Sequence, residues 1–234
     1  HKEYRRQRQM CIRDRAGLGF CTGAGMSWVL PHLRGKDGQA DKALGRYLAL
    51  TGRWLNAADA LWCGLVGYYV PSHEFPTLEE ELLHLQYEPG TAAAAITNYL
   101  SRRAQLPVEQ ASLQKIIQQV DEVFSASSVA EIMSRLQSGI TTHRYGTWAQ
   151  EALSAMQGCS PTALQGTFLV IERSSKCANV RSAVQQEYRL GARYLCHRSD
   201  FRNGVRAKLV DKKAFKNWDP PTLDEVDMDT LYTC

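Results

Sequence analysis

Apolar residues recur every three or four positions along most of the chain, which is the spacing of one face of an α-helix. This spacing predicts helices over Lys42–Thr51 and Asn179–Cys196, and Trp148–Met156 is also predicted to be helical. Thr91–Arg103 is rich in alanine, which favours a helix there too. In the helix Asn179–Cys196, five residues fall near one face: Val180, Val184, Tyr188, Gly191 and Leu195. Gly64–Val70 is instead short, apolar and partly β-branched, which is typical of a strand. The hydrophobic pattern therefore predicts a mainly helical chain.

Several helix starts are marked by residues that satisfy the unpaired amides of a first turn. Thr77–Glu80, Ser128–Glu131 and Thr222–Glu225 each match the capping box, in which a hydroxyl and a carboxylate accept hydrogen bonds from backbone amides. Proline is favoured in the first turn of a helix, so Pro107 is expected to open one helix and Ser160-Pro161 to lead into another. The sequence contains no internal repeats and no low-complexity tracts.

A glycine-rich stretch, Gly17–Leu33, is the most distinctive part of the sequence. Four of its first nine residues are glycine, and the apolar run Trp28–Leu30 follows soon after. Glycine is favoured where the backbone takes a positive φ or approaches a ligand closely. The stretch is therefore either a ligand-facing turn or a flexible turn before a core helix. Its spacing Gly19-x-x-x-Gly23-x-Gly25 superficially matches the short-chain dehydrogenases, but no predicted strand precedes it and the catalytic Tyr-x-x-x-Lys of that family is absent.

The positive charge of the chain is concentrated in its first 15 residues. The formal net charge is +4, and residues 1–15 hold six Lys or Arg against two acidic residues, so residues 16–234 are neutral overall. A neutral body argues against direct contact with nucleic acid, because such binding depends on the neutralisation of phosphates by Lys and Arg. Residues 4–15 resemble a translated sequencing-adapter read, and the alternatives are a phosphate-binding arm or a targeting segment. We therefore interpret residues 1–15 as an adapter-like, non-native tail.

Other motifs argue against several kinds of site. The seven cysteines include no Cys-x-x-Cys pair, which predicts reduced, mostly buried thiols in an intracellular compartment and no zinc site. The sequence contains neither His-Glu-x-x-His nor a phosphate-binding Gly-Lys-Ser/Thr motif. No run of roughly 18 apolar residues occurs, so no membrane-spanning segment is predicted.

Beyond Gly17–Leu33, two motifs in the last quarter of the chain are the most specific: Glu187-Tyr-Arg-Leu190 and Asp200-Phe-x-x-Gly204-Val-Arg-Ala207. Shorter stretches accompany them, namely Tyr47–Gly52, Asp59 with Gly64-Leu65, Cys159–Leu164, Leu209–Lys212 and Trp218. In this order and spacing, over residues 16 to about 226, the sequence resembles the 3-hydroxyisobutyryl-CoA hydrolase branch of the crotonase (enoyl-CoA hydratase/isomerase) superfamily.

The resemblance implies an α/β fold, the crotonase-like ββα superhelix, of which this chain holds the later, mostly α-helical part. It divides the chain into the tail at 1–15, the end of the crotonase core at 16–72, a helical region at 73–150 and a C-terminal helical region at 151–234. Members of this branch hydrolyse the thioester of a branched hydroxyacyl-CoA in valine breakdown, in the mitochondria of eukaryotes. The implied partner is an acyl-CoA substrate. Coenzyme A belongs to that substrate, and no further cofactor, metal ion or membrane is expected.

The sequence departs from the family pattern where that pattern has acidic groups. A glutamate expected before the loop falls at about Arg15, an aspartate expected within the loop is replaced by Gly23, and a glutamate of the C-terminal motif is replaced by Asn203. The resemblance therefore assigns no catalytic residue to this chain. The substrate-binding residues that it implies, facing the acyl group, are Phe20, Thr22, Gly23, Gly25 and Met26. Arg206 and Lys212 are candidates for contacts with CoA phosphates or for structural salt bridges.

Two functions from different classes follow from the resemblance. The first is a thioester hydrolase-like protein acting on 3-hydroxyisobutyryl-CoA, of which this chain is not catalytically competent as it stands. The alternative is a non-catalytic structural or binding protein, such as the hydrolase-like subunits of some mitochondrial ribosomes, and Gly23 favours it. Another acyl-CoA hydratase or isomerase of the superfamily is a third hypothesis, against which the Glu187–Leu190 and Asp200–Lys212 motifs argue.

Overall fold

Residues 16–196, 200–213, 215 and 217–232 are described by the computed structural model, and the adapter-like tail lies outside them. The α-helices of this part of the chain are α1 (Met26–Val29), α2 (Lys42–Thr51), α3 (Ala57–Trp62), α4 (Phe75–Leu83), α5 (Ala92–Arg103), α6 (Ile117–Phe124), α7 (Val129–Thr141), α8 (Gly146–Gln157), α9 (Pro161–Ser174), α10 (Val180–Cys196), α11 (Asp200–Val205) and α12 (Met228–Tyr232). The described residues contain no strand, and Arg34 and Ala40 form an isolated β-bridge.

The chain divides into two compact units. One consists of the described residues up to Trp54 together with the described residues from Ile116 onward, and the other of Leu55–Lys115. The boundaries at residues 72 and 150 that the family resemblance predicts are of another kind, because they mark regions of the family's fold and not compact units. That division stays a prediction.

The larger unit is built around α2. This helix begins at the N-cap Asp41 and ends at Gly52, as its sequence predicts, and it buries residues on nearly every side. It packs against α6, α8, α9 and a 3₁₀ turn at Leu30–His32. Among its side chains, Leu44 and Leu50 are almost completely removed from solvent. Because burial of a leucine side chain contributes about 2 kcal/mol, α2 is a main source of stability for this unit.

Several polar groups inside this core are hydrogen-bonded across helices. Trp148 Nε1 donates a hydrogen bond of 2.9 Å to the Tyr47 hydroxyl, and both rings pack against Phe124. The Arg46 guanidinium, buried on α2, donates to the Phe124 carbonyl at 2.7 Å and forms an ion pair with Glu172 on α9. Buried polar groups destabilise a core unless they are hydrogen-bonded, so these contacts fix the helices in one arrangement.

Two carboxyl groups meet where α6 packs against the start of α2. Asp41 accepts hydrogen bonds of 2.9 and 3.1 Å from the first amides of α2. Asp121 on α6 has a buried oxygen, Oδ1, that receives no hydrogen bond from a described residue. Burial, a hydrogen bond with Asp41 and the nearby charge of Asp37 raise the pKa of Asp121 to about 7, and the charge of Lys36 opposes the shift. Below this pH, the Asp121 carboxyl is therefore mostly protonated and can donate its hydrogen bond to Asp41.

Replacing Asp121 by asparagine is expected to raise the melting temperature by roughly 4 °C at about pH 8, and by clearly less at about pH 5. The pKa of Asp121 is about 7 in the folded state, above its ordinary value of 3.8. The stabilisation that protonated Asp121 provides is therefore complete below pH 3.8 and is lost as the pH rises to about 7. Asparagine stays neutral and still donates to Asp41. Because Asp121 is partly exposed, solvent screening limits the gain in unfolding free energy to roughly 1–2 kcal/mol. Equal changes at both pH values would contradict the raised pKa of Asp121.

The smaller unit is held together by a buried carboxylate. Asp59 on α3 is 1% exposed, its Oδ1 accepts from the Leu113 N–H at 2.7 Å, and its Oδ2 accepts from the Ser112 hydroxyl at 2.8 Å. These bonds join the first helix of the unit to the 3₁₀ turn Leu113–Lys115 at its end. A second contact pairs Glu81 on α4 with Arg103 on α5. Most other side chains of this unit are at least partly exposed, so Asp59 has a large share in its stability.

Several sequence-based predictions are confirmed. The helices expected over 42–51, 91–103, 148–156 and 179–196 are all present, with ends that differ by at most a few residues. Ser128 caps α7 as predicted, its hydroxyl accepting from the Glu131 N–H at 3.1 Å. Among the described residues, Cys21, Cys63, Cys159 and Cys177 form no disulfide bond, and all of these except Cys177 are buried. In the part of the chain that the structure describes, no helix combines the length and the apolar character that crossing a membrane requires.

Other predictions about local structure are wrong. Gly64–Val70 is not a strand, because the Leu65 and Val66 amides turn back to the Ala60 carbonyl at 2.9 and 3.2 Å instead of pairing with a neighbouring strand. Pro107 opens no helix, since its neighbours Leu106 and Val108 find nothing to pack against and are 89% and 101% exposed.

Two of the three predicted capping boxes also do not start helices. Thr77 lies inside α4, which begins two residues earlier with Pro76 in its first turn. The Thr222 hydroxyl donates to the Glu225 carboxylate at 3.0 Å within a turn, and the next helix begins only at Met228. Both sequences match the capping-box pattern, but neither threonine lies at the first residue of a helix.

Candidate functional site

The glycine-rich stretch forms a loop that is left-handed at three positions. A 3₁₀ turn at Ala16–Leu18 is followed by positive φ at Gly19 (+73°), Ala24 (+60°) and Gly25 (+83°), and α1 begins at Met26. The left-handed conformation costs an L-residue about 1 kcal/mol or more, so the surrounding structure must hold Ala24 there. The loop therefore depends on contacts with other parts of the chain.

Glu187 on α10 accepts hydrogen bonds from two amides at the end of this loop. The Gly25 N–H donates to Oε2 at 2.8 Å and the Ser27 N–H donates to Oε1 at 2.9 Å. Glu187 is only 7% exposed. Its carboxylate thus satisfies amides in the first turn of α1, where the direction of the peptide dipoles favours negative charge.

Side chains of α9 attach the loop at two further points. The Thr22 N–H donates to Thr167 Oγ1 at 3.2 Å, and the Ser174 hydroxyl donates to the Ser27 hydroxyl oxygen at 2.9 Å. All four residues are buried. The inner side of the loop is therefore joined to α9 through satisfied polar groups rather than through apolar contact alone.

The helix α11 packs directly on the first part of the loop. A Cβ at Gly19 would lie 2.5 Å from the Asp200 carbonyl carbon, and one at Gly204 would lie 2.5 Å from the Leu18 carbonyl oxygen, so only glycine permits this approach of the two backbones. The Ser160 hydroxyl donates to Asp200 Oδ2 at 2.6 Å. Burial raises the pKa of the Asp200 carboxyl, although the hydrogen bonds that it accepts favour the charged form. The two most specific stretches of the sequence thus meet in one packed structure.

The five residues expected to bind substrate lie in this loop in different surroundings. The Phe20 ring packs with its centroid 4.7 Å from Phe201 and 5.5 Å from Tyr194. Thr22 and Gly23 are buried, and Met26 is half-buried. The outer side of the loop is open at Gly25, where a Cβ would have no atom within 4 Å. Contact of these residues with an acyl group stays a prediction.

Comparison with known proteins identifies the family. The model of the enoyl-CoA hydratase/isomerase family matches residues 15–234. The chain belongs to this family. Within the family it lies on the 3-hydroxyisobutyryl-CoA hydrolase branch, and the expected fold class, the later helical part of the crotonase fold, is confirmed.

Two kinds of protein, a hydrolase-like protein and a ribosomal protein, are similar in sequence to this chain. The mitochondrial 3-hydroxyisobutyryl-CoA hydrolase-like protein 1 of Arabidopsis thaliana is 32% identical over 221 residues, which are 93% of this chain and 52% of that protein. The small ribosomal subunit protein mS47 of the same plant is 31% identical over 221 residues, covering 92% of this chain and 50% of that protein. The chain thus spans about half the length of the curated relatives it matches.

A solved structure with the crotonase fold is also similar. The crystal structure of a carnitinyl-CoA dehydratase from Mycobacterium thermoresistibile matches with a TM-score of 0.73 at 28% sequence identity. The match covers 94% of this chain and 56% of that one. The helices described above therefore belong to a fold that is considerably larger in its solved relatives.

Glu187 lies in one of the specific motifs of the sequence, but its contact with the loop was not predicted, because α10 packs through a different face from the one expected. Four residues of the expected face are exposed by 43% to 76%: Val180, Val184, Tyr188 and Leu195. The face that packs carries Ala183, Glu187, Leu190 and Tyr194 at helical spacing. A single acidic residue within this otherwise apolar face was the available signal of a buried polar partner.

The acidic groups at and around the loop are engaged in hydrogen bonds. Position 23 carries no side chain, and the Glu187 carboxylate accepts from two amides of the loop. The Asp200 carboxylate accepts from the Ser160 hydroxyl and the Asp219 amide. Within the described ranges, no group of three His, Cys, Asp or Glu is placed to hold a metal ion. Arg206 lies 3.7 Å from Asp211 between Nε and Oδ2, so the structural salt bridge considered for it is present. A contact of Arg206 or Lys212 with CoA phosphates stays a prediction.

Proposed function

We propose that this protein is a 3-hydroxyisobutyryl-CoA hydrolase-like protein that binds the CoA thioester of a branched hydroxyacyl group at the glycine-rich loop. The proposal rests on the attachment of this loop: it is hydrogen-bonded to α9 and α10 and packs on α11. At Gly25 the loop leaves open space, since a Cβ there would meet no atom within 4 Å. A preorganised loop binds a ligand with a smaller loss of conformational entropy. The residues proposed to line the acyl site are Phe20, Thr22, Gly23, Gly25 and Met26.

Hydrolysis needs more than such a loop. Attack of water on a thioester requires a group that takes or gives a proton at the reacting atoms. Gly23 stands where the family pattern has an aspartate, and Glu187 is buried against backbone amides. We therefore propose that this chain binds the thioester without hydrolysing it.

Titration calorimetry with 3-hydroxyisobutyryl-CoA tests the binding step. We expect saturable binding in the micromolar range, about −8 kcal/mol. A thiol-release assay on the same sample is expected to show no hydrolysis above the uncatalysed rate. Absence of binding would contradict the proposed site, and thiol release by the chain would contradict the proposed loss of turnover.

A matched pair of variants locates the site. Met26→Gln replaces a half-buried apolar side chain of the loop by a polar one of similar length, and the loss of apolar contact is expected to weaken binding about fivefold. Val184→Gln makes a comparable change on the exposed face of α10 and is expected to leave the affinity unchanged. The opposite order of effects would place the thioester elsewhere.

A structural role in the small subunit of a mitochondrial ribosome is the second candidate function. It is supported by the relative mS47, which matches about as well as the hydrolase-like relative, at 31% against 32% identity. The mitochondrial location is proposed on the same ground, from the names of relatives. Co-sedimentation of the tagged protein with mitochondrial small ribosomal subunits in a sucrose gradient would support this function. Recovery only in the free-protein fractions would contradict it.

A further inference from the structure

We infer that Glu187 is a positioning residue for ligand binding, which fixes residues 23–26 in the conformation that receives an acyl-CoA. The inference deepens the proposed function and rests on it for the identity of the ligand. The inference is drawn from two hydrogen bonds, in which the Gly25 and Ser27 amides donate to the two oxygens of the Glu187 carboxylate at 2.8 and 2.9 Å. These residues are separated from Glu187 by 162 and 160 positions in the sequence.

The surroundings of Glu187 show why a carboxylate is needed. It is 7% exposed, and each of its carboxylate oxygens accepts a hydrogen bond from a backbone amide. Burying a carboxylate without a cation is unfavourable unless hydrogen bonds to the charged form compensate. An ionised carboxylate accepts at both oxygens, whereas a glutamine side chain offers one acceptor and would turn its NH₂ group towards the second amide. Glutamate therefore satisfies both amides, whereas glutamine at this position satisfies one.

The loop needs such an attachment because its own sequence does not favour its conformation. Ala24 is left-handed, with φ of +60°, and is exposed. Helix α1 has four residues, too few to be stable without support. The side chains of α9 hold Thr22 and Ser27, on either side of this segment. Among the described residues, Glu187 provides the single side-chain hydrogen bond to the backbone of residues 23–26.

Three of the five residues proposed to contact the acyl group lie in the segment that Glu187 fixes: Gly23, Gly25 and Met26. If that segment becomes mobile, ligand binding must order it, and the affinity falls by the free energy of that ordering. The effect of Glu187 on affinity is therefore expected to exceed what a general loss of stability would produce.

The test uses the full chain with Glu187→Gln and, as matched control, Ser160→Ala. The control removes the buried hydrogen bond to Asp200, which lies in the same unit but does not touch residues 23–27. Both variants are expected to lower the melting temperature. At a temperature where all proteins are folded, E187Q is expected to speed amide hydrogen exchange in residues 23–29 at least about tenfold. It is also expected to weaken binding of 3-hydroxyisobutyryl-CoA at least tenfold, whereas S160A changes neither quantity.

The outcomes separate this inference from the proposed function. Unchanged loop exchange in E187Q, or an equal loss of affinity in S160A, would overturn the positioning role. Failure of the unmodified protein to bind the thioester would overturn the proposed function, and loop exchange alone would then decide whether Glu187 fixes the segment. If E187Q does not fold, Glu187→Asp serves instead. It keeps the charge but is one methylene shorter, and it is expected to give the same pattern.

Discussion

Replacing Gly19 by alanine is expected to lower the melting temperature by about 10 °C. The added Cβ would lie 2.5 Å from the Asp200 carbonyl carbon and 2.8 Å from the Phe201 nitrogen, and backbone atoms cannot move aside as the end of a side chain can. Overpacking and the positive φ together cost about 3–4 kcal/mol of unfolding free energy. Differential scanning calorimetry of both proteins measures the difference.

Gly25 offers the matched control for this experiment. It lies in the same loop with φ of +83°, but its Cβ would meet no atom within 4 Å. Gly25→Ala therefore carries only the conformational strain, about 1 kcal/mol, and is expected to lower the melting temperature by about 3 °C. Similar losses for the two variants would contradict the close packing of α11 on the loop.

Replacing Asp59 by alanine is expected to destabilise the unit Leu55–Lys115 by about 3 kcal/mol. The change leaves the buried Leu113 amide without its acceptor, removes the bond to Ser112 and opens a small cavity. Hydrogen exchange followed by mass spectrometry is the suitable measurement, because it reports on residues 55–115 separately from the rest of the chain. Exchange through opening of this unit is expected to become about 100-fold faster.

Two variants test whether this effect comes from the buried contacts. Ser112→Ala removes one of the two bonds to Asp59 and is expected to cost about 1 kcal/mol. Glu80→Ala removes an exposed carboxylate of the same unit and is expected to change the exchange rates little. A loss in the Glu80 variant as large as that of Asp59→Ala would show that the unit responds to charge rather than to the buried bonds.

Local sequence patterns predicted most of the helices because each of those signals lies within one segment. The stripe of α2 and the N-cap Ser128 are examples, since a helix period or a cap involves neighbouring residues only. The family resemblance predicted that Gly17–Leu33 and the motif around Asp200 belong to one fold, and the structure brings them into contact. The predictions at Gly64–Val70 and Pro107 were wrong because a local signal was not supported by packing. Among the described residues, no strand pairs with Gly64–Val70, and the neighbours of Pro107 are exposed.

The contacts that define the candidate site depend on long-range packing. The bonds from Gly25 and Ser27 to Glu187 cross more than half of the chain, and no local pattern relates these positions. The apolar residues of α10 at 180, 184 and 188 also recur at helical spacing, so periodicity alone did not decide which face is buried. The choice is made by the neighbours of α10, which pack against the face containing the acid.

The bonds of Asp59 have a consequence for how the chain folds. The larger unit is discontinuous in sequence, because the excursion Leu55–Lys115 interrupts it. Asp59 and Leu113 bring the two ends of that excursion together, so the larger unit has to close a ring of only about ten residues instead of about sixty. The entropic free-energy cost of closing that ring then falls by roughly 1.5 kcal/mol. A side chain whose bonds to Ser112 and Leu113 lie within one unit thereby shortens the ring that the other unit has to close.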